Sequence, residues 1–183
     1  MRAKWLWMTG LTALVGAAAG ACGQGQAVFN VDVLSFLSDS TVPYDVPGGV
    51  GPVDSTVSKR FSLPGGFSRS TVDSVSITGA AGLHNFSGGG TVVFDVFFAK
   101  NQGSLFTGTP YLTASSGHVT GDTTLSLIPP QTVSLADTVF HTDSLWVGIR
   151  ARVTTDPPLL THMIGQVRLT ELRTHIVLND KFF

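Results

Sequence analysis

The segment Ser144–Thr155, with the sequence SLWVGIRARVTT, decides the fold class. Apolar and more polar residues alternate along it with a period of two, which is typical of a β-strand that covers a core with one face. Its predicted inward residues are Leu145, Val147, Ile149, Ala151 and Val153. Residues 91–99 (TVVFDVFFA) predict a second core strand. The inward residues of that strand would be Val92, Phe94, Val96 and Phe98.

The rest of the chain extends this pattern. Further strands are predicted over residues 27–37 (with a bend), 57–63, 71–78, 104–114, 123–128, 132–140 and 161–172, the last continuing to about 178. Residues 38–54 and 79–90 are rich in proline or glycine and are predicted to be long loops. No stretch of this part shows apolar residues at helical spacing. We therefore predict an all-β fold, an antiparallel β-sandwich of about 8–10 strands in a jelly-roll or immunoglobulin-like arrangement.

The amino-terminal stretch has the organisation of an export signal. Arg2 and Lys4 form a basic start, residues 5–15 are largely apolar, and small residues lead to Cys22. The apolar part is shorter than the roughly 20 residues that a membrane-spanning helix needs, so a cleaved signal helix is predicted. This divides the chain into a signal peptide (1–21), a short tether (22–26) and a single β-sandwich domain (27–183).

The residues Ala19-Gly20-Ala21-Cys22 resemble the lipobox of bacterial lipoproteins. In that family the cysteine is joined to a diacylglycerol and becomes the new amino terminus, so the resemblance implies that Cys22 is lipidated. Because residue 23 is glycine and not aspartate, the resemblance implies the outer membrane, where the host has one. Cys22 is the only cysteine, and a modified thiol fits a lone cysteine in an oxidising compartment. Ordinary signal-peptide cleavage and secretion remain the alternative.

Composition limits the partners of the mature chain. About 160 residues remain after the leader, which is the size of one domain. Since Arg2 and Lys4 lie in the leader, 9 basic and 12 acidic residues remain, a net charge of −3 without a cluster of like charge. Nucleic-acid binding needs a basic face that replaces phosphate counterions, so nucleic acid is not expected as a partner.

No pattern for catalysis or metal binding stands out. The pentapeptide Gly-x-Ser-x-Gly does not occur, and the five histidines lie singly, without His-x-His or His-Glu-x-x-His spacing. The only close pair is His141 with Asp143, and Asp137 lies just upstream. Solvated residues of a turn show the same pattern. We therefore predict no catalytic residue, no cofactor and no metal; Asp137, His141 and Asp143 are the candidate metal ligands of this pattern, and Asp39, Asp45 and Asp54 are the loop carboxylates that a calcium ion could use.

Two of the predicted loops carry candidate binding residues. Residues 43–52 include Tyr44, and residues 79–90 include His84 and Phe86. Aromatic and polar side chains on loops displayed by a rigid scaffold can stack on sugars or contact a partner protein, although plain connections have the same composition. Tyr44, His84 and Phe86 are the candidate ligand-binding residues.

Together these features predict a lipid-anchored bacterial envelope protein whose β-sandwich has a binding or structural role and is not an enzyme. Its expected partners are the membrane, through the lipid anchor, and an envelope protein or glycan. One alternative is an exported hydrolase or lyase on a jelly-roll scaffold, with carboxylates and histidines converging from distant strands. A small outer-membrane barrel is suggested by the terminal Phe183, but Asn179 and Lys181 stand where the last strand of such a barrel is apolar.

Overall fold

The computed structural model describes residues 25–37, 40–63, 71–120, 126–133, 138–157 and 161–180. In these ranges the chain forms nine β-strands and three short 3₁₀ turns, and no helix is long and apolar enough to cross a membrane. The strands are β1 (Gly25–Asp32), β2 (Thr41–Pro47), β3 (Val53–Ser62), β4 (Thr71–Ser87), β5 (Gly89–Ala99), β6 (Leu112–Thr120), β7 (Ser126–Val133), β8 (Ser144–Thr155) and β9 (His162–Asp180). The predicted all-β fold is confirmed.

The strands form two antiparallel sheets. Sheet A has the order β1-β9-β4-β7, with β2 also paired to β9, and sheet B has the order β3-β8-β5-β6. β1 pairs with the carboxyl-terminal half of β9 and β2 with its amino-terminal half. Because β4 pairs along the other side of β9, β1 and β2 lie end to end on one edge of that strand, separated by the 3₁₀ turn Val33–Phe36.

The pairings are nested in chain order. β1 and β2 pair with β9, β3 with β8, β4 with β7, and β5 with β6. This nesting is that of a long antiparallel hairpin rolled into two sheets, which is the jelly roll. An immunoglobulin sandwich instead pairs its first strand with its second, a pairing that does not occur between the described strands. The structure therefore selects the jelly roll from the two predicted arrangements.

The core lies between the inner faces of the two sheets. The predicted inward residues of β8 are all fully buried, and those of β5 are at most 5% exposed. Phe98 makes edge-to-face contact with Tyr111 and a tilted contact with Phe140, at ring-centroid distances of 5.4 and 5.5 Å. Thr91 to Ala99 and Ser144 to Thr155 thus form the paired centre of sheet B, as their alternation predicts.

A second, smaller cluster covers the outer face of sheet B. Residues 100–111 fold back over this face, and Leu105 is buried against Phe97, with Phe106 edge-to-face on Phe97 at 5.4 Å. Gly148 leaves room for this contact, since a Cβ there would lie 2.7 Å from both Leu105 and Phe106. The prediction of a strand over 104–114 was therefore wrong before Leu112, because Leu105 packs as part of a covering turn.

The prediction of one long loop over residues 38–54 was also wrong, because β2 lies inside it. Val42, Tyr44 and Val46 are buried and alternate with exposed residues. Proline is compatible with β2 because this strand pairs only with β9 among the described strands, and an edge strand can leave one side of its backbone unpaired.

The predicted loop over residues 79–90 is instead the second half of β4 and the start of β5. Only Gly88 separates the two strands; its φ of 74° is a conformation that glycine adopts without steric cost. A Cβ at Gly88 would lie 2.5 Å from the His162 carbonyl oxygen, so the turn also packs closely on β9. The other glycines of this stretch lie within paired strands: Gly79 and Gly82 of β4 pair with β9, and Gly89 and Gly90 of β5 pair with β6.

Three further boundaries differ from the predictions. β3 begins at Val53, before the predicted start at residue 57, and β7 spans Ser126–Val133 where two strands were predicted over 123–128 and 132–140. Residues Thr138–Phe140 form a 3₁₀ turn because Phe140 turns into the core. The predicted bend in residues 27–37 is confirmed by the turn after Asp32, and the long last strand by β9.

Candidate functional site

The outer face of sheet A carries a strip of small side chains along β4. From residue 74 to residue 86, the even-numbered residues of β4 point outward and the odd-numbered ones are buried. The outward residues before position 84 are all small: Ser74, Ser76, Thr78, Ala80 and Gly82. We call this strip, with the outward side chains of β9 beside it, the β4 trough. Its floor is low because no long side chain rises from it, and a Cβ at Gly82 would meet no atom within 4 Å.

One wall of the β4 trough is formed by the outward side chains of β9. A β-bulge places Thr170 as an extra residue between the pairs Ala80–Glu171 and Ala81–Leu169. The bulge changes the phase of β9, so that outward residues have even numbers before it and odd numbers after it. The Thr170 hydroxyl donates to the Ala80 carbonyl oxygen at 3.1 Å. Polar side chains therefore line both halves of the wall.

The end of the trough near β1 is a shallow polar cavity of about 490 Å³. Its side chains come from three neighbouring strands and are Asn30, Asp32, Ser76, Thr78, Arg173, Thr174 and His175, together with Val31. The pairing of β1, β9 and β4 places Asn30, His175 and Ser76 in one row across the sheet. His175 Nδ1 lies 2.7 Å from Asn30 Oδ1. This contact joins β9 to β1 at the end of the trough.

The opposite end of the trough is aromatic. Phe86 is 58% exposed, and its ring lies 5.7 Å from that of His84, measured between centroids. Phe86 is the extra residue of another bulge, since Asn85 pairs with Gly165 and Ser87 with Ile164. Phe86 follows the outward alternation of β4, and the bulge leaves it without a partner residue in the β9 register. Ile164 beside it is 38% exposed.

A buried polar contact supports this aromatic end from below. The Tyr44 hydroxyl donates to Asn85 Oδ1 at 3.3 Å, and Asn85 Nδ2 donates to the Gly88 carbonyl oxygen at 2.8 Å. Tyr44 is only 3% exposed, and its burial raises the pKa of its hydroxyl to about 12. The hydroxyl therefore stays protonated and holds Asn85, which fixes the turn after Phe86.

Two aspartate–histidine pairs lie at the same end of the sandwich. His162 Nδ1 lies 2.6 Å from Asp45 Oδ1, which joins β9 to β2. His118 Nε2 lies 2.7 Å from Asp156 Oδ2, which joins β6 to the segment after β8. All four side chains are at least 44% exposed. The pairs flank the connection from β8 to β9 at its two ends.

Sheet B carries a separate ionic network on its outer face. Asp95 is 3% exposed; it accepts from Arg150 Nη2 at 2.6 Å and from the Thr113 hydroxyl at 2.8 Å. The Arg150 guanidinium also lies over the Phe97 ring, 4.7 Å from its centroid. Arg152 of β8 binds Asp54 of the edge strand β3 through two hydrogen bonds of 2.8 and 3.1 Å. The charged groups of this network bind one another and join neighbouring strands of sheet B, so we assign the network a structural role.

Of the predicted site residues, two are exposed on the surface, Tyr44 is buried, and others lie outside the described part of the chain. His84 and Phe86 are adjacent and exposed, as a binding role requires, but they lie on a strand and not on a loop. Tyr44 is buried beneath them. Cys22 and Asp137 lie outside the described residues. His141 is half-buried, and the Asp143 carbonyl oxygen accepts from the Leu63 amide at 2.9 Å.

Metal binding finds no support in the described part of the chain, where no three His, Cys, Asp or Glu side chains converge on one point. Because Asp137 falls outside that part, its grouping with His141 and Asp143 stays a prediction.

Sequence reasoning missed the polar end of the trough. Asn30 is more than 140 residues away from Arg173 and His175 in the chain and meets them because β1 pairs with β9. The row of small residues at alternate positions of β4 was a usable signal, but it was hidden by the glycines that suggested a loop.

Comparisons with known proteins find similar solved structures but no matching family. No protein-family model matches the chain, and no curated protein matches it. Among solved structures, the chain is similar to a structure of infectious bursal disease virus, Gx strain, at 12% identity and a TM-score of 0.43, over 94% of this chain and 37% of that one. It is also similar to the VP2 subviral particle of infectious bursal disease virus, at 12% identity and a TM-score of 0.30, over 94% and 45% of the two chains. The chain thus spans less than half the length of either structure.

Proposed function

We propose that this chain is an exported, lipid-anchored protein of the bacterial cell envelope and that its jelly roll is a non-enzymatic binding domain. The observation that carries the binding role is the β4 trough, which combines an exposed aromatic ring at one end with a polar cavity at the other. Such a combination of apolar surface and convergent polar groups is typical of ligand sites. Export and anchoring are supported by the leader and by Cys22 at its end.

Anchoring is tested by mass spectrometry of the mature amino terminus from isolated membranes. We expect a chain that begins at Cys22 and carries a diacylglyceryl group. Cys22→Ala should move the protein from the membrane fraction to the soluble fraction, because a thioether to lipid can form only at the thiol. Gln24→Ala is the matched control and should leave the protein in the membrane. An unmodified Cys22, or a start at another residue, contradicts the anchoring proposal.

The alternative of an exported hydrolase or lyase would draw on the pairs His162–Asp45 and His118–Asp156. A histidine held by a carboxylate can act as a general base. Incubation with a glycan oligomer distinguishes the two functions, since an enzyme releases shorter products with time and a binding domain returns the oligomer unchanged. Products that disappear in His162→Ala would favour the enzyme.

A further inference from the structure

We propose that the β4 trough binds an extended glycan chain built of acetamido sugars, the class of polymer that forms the bacterial cell wall. The choice of this source rests on the proposed export to the envelope, where such chains face the protein. Binding itself depends only on the trough, so it can be measured independently of the anchor.

The shape of the trough fits a linear polymer. Its floor runs from Ser74 to Gly82 without a long side chain, and Phe86 stands at its end. At about 3.3 Å per residue, the stretch from Ser74 to Phe86 is roughly 40 Å long. A site of this length and low depth suits several units of a chain that lies along the sheet, whereas a small molecule would contact only one part of it.

The polar groups of the trough fit a ligand that carries both donors and acceptors. Amides at Asn30 and Gln166 and hydroxyls at Ser76 and Thr78 offer both functions. Sugar hydroxyl and acetamido groups have the same dual character. The wall carries Arg168 and Arg173, and two carboxylates accompany them: Glu171 lies 3.6 Å from Arg173, and Asp32 of β1 is paired opposite Arg173, so the surface does not select for a polyanion. The small apolar floor at Ala80 leaves space for acetamido methyl groups.

An extended peptide fits this face less well. Peptides that add to a sheet obtain their affinity from backbone hydrogen bonds at an exposed strand edge. β4 is an inner strand between β9 and β7, and its backbone is already paired with β9 from Thr71 to Ser87. Side chains therefore provide the hydrogen bonds on this face, which is the recognition mode of a glycan.

The aromatic end provides apolar contact for a sugar ring. Each pyranose has faces of C–H groups, which pack against an aromatic ring while the hydroxyls at its rim bond to neighbouring polar groups. Phe86 offers such a surface with more than half of its area exposed, and His84 and Gln166 lie beside it. The Tyr44–Asn85 contact below holds this end in place without a bound ligand.

The experiment measures chitohexaose binding to the protein produced with its own leader and purified in mild detergent, by isothermal titration calorimetry. We expect a dissociation constant below about 1 mM. Phe86→Ala should raise this constant about tenfold, because it removes the aromatic contact. Gly82→Leu should raise it at least as much, because the new side chain would stand on the floor of the trough, where space is open.

Each variant has a matched control. Phe36→Ala removes a phenylalanine of similar exposure that stacks on Phe61 of sheet B, and Gly108→Leu adds the same side chain at an open position of residues 100–111. Both controls should bind chitohexaose as the natural protein does. Absence of binding at about 10 mM chitohexaose, or equal loss in controls and trough variants, overturns the proposal.

Three further outcomes separate glycan binding from self-association and from the proposed anchoring. A dimer that dissociates in Phe86→Ala, seen by gel filtration with light scattering, would show that a second copy of the chain occupies the trough and would overturn glycan binding. If Cys22 is lipidated and chitohexaose does not bind, the anchoring proposal stands and the glycan proposal is overturned. If chitohexaose binds and Cys22 is not lipidated, the glycan proposal stands and the anchoring proposal is overturned.

Discussion

Gly165 is the residue at which the aromatic end of the trough has least room. A Cβ there would collide with the His84 carbonyl oxygen and the Tyr44 hydroxyl, and would lie 2.7 Å from Tyr44 Cζ. The close approach of Tyr44 to β9 is therefore possible only because residue 165 has no side chain.

Gly165→Ala should lower the free energy of unfolding by about 1–3 kcal/mol, since the backbone or the Tyr44 ring must shift. Gly82→Ala is the matched control and should change it by no more than about 0.5 kcal/mol, because space is open at that position. Urea denaturation measures both. Equal effects of the two substitutions would show that the contact at Gly165 is not tight.

β3 is an edge strand of sheet B and pairs only with β8 among the described strands. The bidentate contact of Asp54 with Arg152 joins the two strands. The pKa of Asp54 lies below its usual value, chiefly because of the hydrogen bonds from Arg152, with the charges of Arg152 and Arg150 adding to the effect. The ionised form of Asp54 is thus favoured by folding.

Asp54→Asn should therefore lower the stability at neutral pH, by less than about 1 kcal/mol because the pair is largely exposed to solvent. A carboxyl group with a depressed pKa in the folded state contributes its stability above its unfolded pKa and loses it as the pH falls through the folded one. The difference between the two proteins should be constant above about pH 5 and should shrink below about pH 4. Urea denaturation from pH 3 to 7 measures it, and a difference that does not shrink in acid would contradict this account.

Strands with one fully apolar face were predicted from the sequence, and strand segments rich in glycine or proline were missed. β8 and β5 have one fully apolar face, so their alternation identified both the strands and their inward residues. β4 is also a buried strand, but Gly79, Ala81 and Gly82 contribute no apolar signal, and its extended conformation is imposed by β9. β2 was missed because proline was interpreted as a loop residue, although an edge strand accommodates it.

The candidate site was predictable only in part, for a reason that belongs to the whole fold. His84 and Phe86 are near in sequence and were identified together, whereas Asn30 and His175 meet only through the pairing of the first strand with the last. A jelly roll brings distant segments together by nested pairing, and the order of strands was not contained in any local pattern. The fold class could therefore be predicted from local periodicity. The polar end of the trough could not, because it depends on the order of the strands in the sheet.

The position of β9 makes the whole sandwich dependent on one strand. β9 contacts β1 and β2 on one side and β4 on the other, so sheet A has no continuous centre without it. A chain that ends after residue 161 should show no cooperative thermal unfolding, because β4, β1 and β2 would lose the strand with which they pair. A chain that starts at residue 40 lacks the edge strand β1 and the 3₁₀ turn after it, with the buried Val33 and Leu37, and should unfold cooperatively at a lower temperature. Circular dichroism measures both, and a cooperative transition in the first truncation would contradict this role of β9.

The same strand has a consequence for the order of events during synthesis. β9 follows in the chain every described strand with which it pairs, yet it is the partner that β1 and β2 require. Until β9 has been synthesised, neither of these two strands can form the pairing that it has in the fold. Sheet A can therefore close only after its central strand, which is made later than all its described neighbours, has left the ribosome.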